Sequence, residues 1–177
     1  MGVFKFLKNA GQSYVDMQKR NLKAIVDVFD GDDDQKKKAE AEQKAKAIKQ
    51  EADNMGLGGD YRVTVEGDTV KLEGKVPDQA TLEKVVLTSG NIDGVAQVDA
   101  TGVETESQDE DEAVFYVIKK GDTLSKIAKV YLGSAKRYPE IFEANRPMLT
   151  DPDKIYPGQM IRIPGGKGPD ARDEPLV

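Results

Sequence analysis

Residues 103–113, VETESQDEDEA, hold six acidic side chains in eleven positions and almost no side chain that forms a core. A run this charged buries little apolar surface, and its like charges repel one another, so it reads as a solvated tether that keeps its two flanks apart. The tether divides a chain of 177 residues into two small units, in keeping with a hydrophobic content of 38%, low for one large core. The expected organisation is an N-terminal helical segment over 1–30, an α/β unit over 31–102, the tether, a second unit over 114–164 and a disordered tail over 165–177. The expected class is α+β.

Composition narrows the chemistry. Lys and Arg number 26 against 32 Asp and Glu, a net charge of -6, with a pI near 4.9, so no general attraction to nucleic acid or anionic lipid is expected. Without cysteine there are no disulfides, thiolate nucleophiles or thiolate metal sites, and without histidine there is no imidazole base or ligand. A bound cation must therefore be held by oxygen. The carboxylates are scattered without a recognisable pair, so no enzyme is expected. Lys5 and Lys8 precede no apolar run long enough for a signal peptide, and no later segment reaches the roughly 18 residues that span a bilayer. Gly2 suits myristoylation, but Phe6 stands where that motif wants Ser or Thr. Cytoplasmic residence is the expectation.

Along the chain, Val3, Leu7, Ala10, Tyr14, Met17, Leu22, Ile25 and Phe29 recur at spacings of mostly three and four, predicting an amphipathic helix that Gly11 interrupts. It would pack on the rest of the protein, with attachment to a membrane surface as the competing reading. Asp32 to Asp34 can cap a following helix that Gly56, Gly58 and Gly59 end. A calcium loop starting at Asp30 fails, because position six is Gln35 and position twelve is Ala41. YRVTVEGDTVKLEG alternates about a Gly-Asp turn like a β-hairpin, PDQATLEKVVLTSG reads as a helix stopped by Gly90, and Val95 and Val98 mark a last strand.

Beyond the tether, Val114, Tyr116 and Ile118 alternate like a strand. Gly121 then turns the chain, and Asp122 or Thr123 caps a helix carrying Leu124, Ile127, Ala128 and Tyr131. Ser134 can cap a second helix carrying Tyr138, Ile141 and Phe142. Pro157-Gly158 turns into a strand with Ile161 and Ile163 inward.

These patterns carry two resemblances. Residues 31–102, with Glu73-Gly74 closing the hairpin and Ile92-x-Gly94-Val95 entering the last strand, resemble a BON domain. Residues 114–164 resemble a LysM module through Tyr116, Gly121-Asp122-Thr123-Leu124, Ile127-Ala128, Ile141-x-x-Ala144-Asn145 and Ile155-x-Pro157-Gly158-Gln159-x-Ile161-x-Ile163-Pro164. The LysM resemblance implies a glycan groove between Gly121, Asp122, Thr123 and Leu124 on one side and Met148, Leu149, Thr150 and Ile155 on the other. Most matching residues are turn formers, caps and core positions, so they argue the fold more strongly than sugar binding.

Together, BON followed by LysM with GVFKFLKNAG in front resembles the bacterial cytoplasmic potassium-binding proteins of BON–LysM architecture. That resemblance implies selective K⁺ binding with a change of conformation. The chain departs from the family in its longer region around residues 15–30 and in its very acidic linker. Potassium is large and singly charged, and carbonyl dipoles that replace its hydration shell select it, so its site need leave no side-chain signature. Carbonyls near helix breaks are the places to look. At LKNAG these are Leu7 and Ala10, with Gln12 beyond; at SGNIDGV they are Gly90, Ile92 and Val95. If the N-terminal segment packs on that loop, the two sets complete a shell of about six oxygens. Ordinary helix stops in both places are the competing reading. K⁺ would then join the N-terminal segment to the BON domain and favour a docked LysM module. A peptidoglycan-binding protein of the cell envelope is the alternative function.

Overall fold

A computed structural model of the chain describes residues 2–6, 33–92, 94–107 and 113–171. The first module is built from β1 (Val3–Lys5), α1 (Asp33–Asn54), β2 (Asp60–Glu66), β3 (Thr69–Val76), α2 (Gln79–Gly90) and β4 (Gln97–Thr105). Its four-stranded sheet has the order β1-β4-β3-β2. β2 and β3 form the expected hairpin, whose Gly67 takes a positive φ of 63°. β3 and β4 run parallel, and that pairing needs the crossover α2 provides.

Alternation along the strands sends Tyr61, Val63, Val70, Leu72, Val76, Val98, Ala100 and Val103 into the core. The other face is charged, and its Lys71–Glu66 and Lys75–Glu104 pairs, at 2.7 and 3.3 Å, are largely exposed. They add little stability. α1 buries Ile48 and Ala52. Tyr61 lies under its last turns, donating to the Leu57 carbonyl at 3.4 Å with Lys49 4.4 Å over its ring. Burial, reinforced by the charge of Asp53, pushes that phenol up to about 12. α2 starts at Asp78, whose carboxylate accepts the Thr81 N–H at 2.6 Å, and buries Leu82, Val85, Val86 and Leu87.

The N-terminus departs from the helical expectation. Val3 to Lys5 form a strand, antiparallel to β4, and join the sheet of the first module. The helical period runs through Val3 and Leu7 and skips Phe4 and Phe6. These two have the period of a strand, and both are buried, whereas Val3 is 44% exposed. The rest of the expected helix, residues 7–29, lies outside the described residues.

The second module comprises β5 (Val114–Val117), α3 (Leu124–Tyr131), a 3-10 turn (Ala135–Arg137), α4 (Tyr138–Ala144) and β6 (Met160–Ile163). Thr123 caps α3 by accepting the Lys126 N–H at 3.2 Å, and Ser134 caps the 3-10 turn by accepting the Lys136 N–H at 3.3 Å. The second helix thus starts later than expected, and Tyr138 faces outward at 37% exposure while Ile141 is buried. Nor is the tail disordered at its start. The Lys167 N–H donates to the Tyr131 carbonyl at 2.9 Å, the Tyr131 hydroxyl to the Pro169 carbonyl at 3.1 Å and the Ala171 N–H to the Phe115 carbonyl at 2.8 Å.

The two modules do not stand apart. One continuous apolar cluster runs from Phe4 and Leu87 to Phe115 and Met160, and all four residues of β6 are buried. In β6, Ile161 and Ile163 occupy the face expected to point inward. Met160 and Arg162 alternate to the opposite face, where Phe115, the cross-strand partner of Arg162, lies beside them. That face meets the first module: the Phe115 ring is 5.3 Å from Phe4, and α2 packs against β6. The acidic run fails as a spacer because its ends are used. β4 continues to Thr105, and Ala113 is buried, donating its N–H to Glu83 at 3.0 Å.

Candidate ion-binding turn and the module junction beside it

The turn that follows α2 is built by its sequence, SGNIDGV. Ser89 donates its hydroxyl to the Val85 carbonyl at 2.7 Å, and the Asn91 N–H closes the helix on Leu87 at 3.0 Å. The Val85 and Leu87 carbonyls near the helix end are therefore engaged. Gly94 takes a φ of 77°, and the Val95 N–H returns to the Ile92 carbonyl at 3.2 Å. The Ile92 carbonyl retains a second lone pair, and the negative end of the α2 dipole points at this turn, so the local field favours a cation.

Glycine at position 90 is forced by packing. A Cβ there would stand 2.1 to 2.3 Å from three carbons of the Phe6 ring, so the ring lies directly on the helix end. The Phe6 N–H donates to the Ala96 carbonyl at 2.8 Å. The structure thus brings Gly90, Ile92 and Val95 into one turn and lays residue 6 against it. Leu7, Ala10 and Gln12 lie outside the described residues. Lys44 of α1 also approaches the turn, with Nζ 3.3 Å from where a Cβ on Gly94 would sit. Among the described residues no cluster of three or more acidic side chains is placed to hold a metal ion.

Next to this turn the structure reveals a junction that sequence reasoning missed. Asn91, 2% exposed, donates Nδ2–H to the Met160 carbonyl and accepts the Met160 N–H on Oδ1, both at 2.9 Å. About two turns back along α2, Glu83 is 1% exposed. Its Oε1 accepts from Gln79 at 2.9 Å and from the Ala113 N–H, and its Oε2 stands 2.8 Å from Nε of the buried Arg162. That last approach is an ion contact whose angle is poor for a hydrogen bond. The only hint in the sequence is an arginine amid an otherwise apolar β6, since Glu83 stands beside Lys84 in a helix of mixed polarity.

The two loops implicated in glycan binding are only partly at the surface. Leu124, Met148 and Leu149 are buried, Asp122 and Ile155 are half-buried, and Gly121, Thr123 and Thr150 are exposed. The Asp122 carboxylate is already engaged, accepting from the Tyr116 hydroxyl at 2.7 Å and the Lys119 N–H at 2.8 Å. Met148 leans on the first module, its Sδ 3.4 Å from Asn91 Nδ2.

Fold and site together define a small two-module α+β protein with a LysM domain, and the LysM domain family matches residues 116–164. The chain is 41% identical over 168 residues, covering 93% of its own length and 99% of the relative's, to the potassium binding protein Kbp of Escherichia coli O6:H1. It belongs to the family of that protein. An uncharacterised protein of Deinococcus radiodurans is 35% identical over 108 residues, 56% of this chain and 42% of that protein. An endolysin of Bacillus phage B103 is 46% identical over 50 residues, 28% of this chain and 18% of that protein.

Proposed function

We propose that this chain is a cytoplasmic, non-catalytic protein that binds K⁺ selectively and changes conformation on doing so, with a BON-type first module. The observation that carries this reading is kinship over 93% of the chain with a protein named for potassium binding. The turn after α2 supports it physically. It places Gly90, Ile92 and Val95 in one turn at the negative end of a helix, and the Phe6 ring lies against Gly90. The proposed shell is the carbonyls of Gly90, Ile92 and Val95 with those of Leu7, Ala10 and Gln12. A shell of neutral dipoles suits a large monovalent ion, whereas carboxylate clusters suit harder divalent ones. Nucleic acid and membrane are not partners in this reading.

Titration calorimetry on the full chain tests it. Saturable heat with K⁺ and Rb⁺, and none with Na⁺ or Ca²⁺ at equal ionic strength, is the expected result. Silence with K⁺, or equal heats with Na⁺, would overturn it. A second reading, glycan binding by the LysM domain, draws on the exposure of Gly121, Thr123 and Thr150, and retention of the chain on purified wall glycan would favour it.

A further inference from the structure

We propose that Asn91 is the positioning residue through which an ion at the 90–95 turn acts on the LysM domain. This rests on the potassium reading above and deepens it by naming how occupancy leaves the site. Asn91 sits between two proposed carbonyl ligands, Gly90 and Ile92, with φ -80° and ψ 4°. An ion held by the Gly90 carbonyl fixes the peptide plane between residues 90 and 91, and an ion held by Ile92 fixes the chain one residue beyond. Together they set the dihedrals of Asn91 and so the direction of its side chain.

That direction matters because of what the amide does. Its two atoms meet the N–H and C=O of one residue, Met160, 69 positions away and in the other module. Such paired bonding tolerates little rotation, and it is made only when the modules are packed together. An ion that holds the turn in this conformation therefore binds the packed arrangement better than the separated one, which is the condition for a ligand to shift an equilibrium. The effect is reciprocal, so packing tightens ion binding by the same factor. The contact of Asn91 Nδ2 with Met148 carries the change into the start of the second LysM loop.

The ion pair of Glu83 and Arg162 spans the same junction but touches no part of the turn, so it serves as a control. The chain has no cysteine, so Lys75→Cys and Val130→Cys, at exposed positions on the two modules, accept a dye pair for distance measurement. The packing equilibrium is measured in NaCl and in KCl at equal ionic strength for the parent chain and for Asn91→Ala, Asn91→Asp and Glu83→Gln. For the parent, K⁺ is expected to shift the equilibrium by about tenfold or more, within the usual range of coupling between sites. Asn91→Ala should cut that shift below about twofold, and Asn91→Asp, which keeps an acceptor but lacks the donor, should fall between. Glu83→Gln should loosen packing equally in both salts and keep the shift.

A full shift in Asn91→Ala overturns the proposal, as does an equal loss of the shift in Asn91→Ala and Glu83→Gln. If Asn91→Ala does not fold, a full shift in Asn91→Asp overturns it. A parent chain that gives calorimetric heat with K⁺ but no shift overturns this proposal alone. A parent chain that gives no heat overturns the potassium reading beneath it as well.

Discussion

Two asparagines clasp the outer edge of β6 with the same chemistry and from different places. Asn145, at the end of α4, donates to the Arg162 carbonyl at 2.7 Å and accepts the Arg162 N–H at 2.9 Å. Asn91, at the end of α2, does the same to Met160. Both are buried, at 1% and 2% exposure, and each gives partners to strand groups that face away from β5. The difference is reach. Asn145 closes its own module across 17 residues, whereas Asn91 crosses between modules across 69. A polar clasp is therefore a fixed part of the fold in one case and a contact that can open in the other. When it opens, water satisfies the freed groups, and the cost is smaller.

The largest expected effect comes from the ion pair that flanks these clasps. Glu83→Ala leaves Arg162 buried without its counter-charge, and denaturant unfolding should show a loss of about 3–5 kcal/mol. A loss under about 1 kcal/mol would mean that the junction readily opens to water and that Arg162 is not held dry. Next, Asn145→Ala strands the Arg162 N–H and C=O inside a module that cannot open there, at a cost of about 2–3 kcal/mol. Asn91→Ala should cost about 1 kcal/mol, because a local opening at Met160 lets water reach its N–H and C=O while the Glu83–Arg162 contact stays dry. Equal losses for the two asparagines would break the comparison, since both clasps would then be equally permanent.

A fourth substitution sharpens it from the side of the turn. Gly90→Ala places a methyl group inside the Phe6 ring, so the ring must move, with an overpacking cost of about 1–3 kcal/mol. Calorimetry should show weaker K⁺ binding in this variant, because the N-terminal strand leaves the turn. Unchanged binding would separate residues 2–6 from the site.

How much of this was legible depends on the range of each interaction. The LysM domain was readable because its signals are local: the Thr123 cap, Gly121 with its φ of 87°, and the Pro157-Gly158 turn each act within a few residues. The hairpin and α2 were readable for the same reason. β1 is hidden in the sequence because a three-residue strand offers one repeat of its period, and the alternation of Phe4 and Phe6 is masked by a longer helical period. The junction was invisible because its partners are far apart in sequence. Glu83 and Arg162 look like surface charges until the structure brings them to 2.8 Å in a dry contact. The acidic run misled for a related reason: its composition describes its own solvation, and the burial of Ala113 and β6 decides how the modules sit. Of the candidate shell, Gly90 and the turn were readable as a helix stop, whereas the ring of Phe6 upon it was not.

The most direct test is carbonyl carbon NMR on labelled protein as KCl replaces NaCl at constant ionic strength. Direct ligation should move the carbonyl resonances of Gly90, Ile92 and Val95 together, saturating along one binding curve, with the amide of Met160 following the same curve through Asn91. Resonances that stay still at the turn while K⁺ binds, or that move only in the LysM loops around Gly121 and Thr150, would contradict the account.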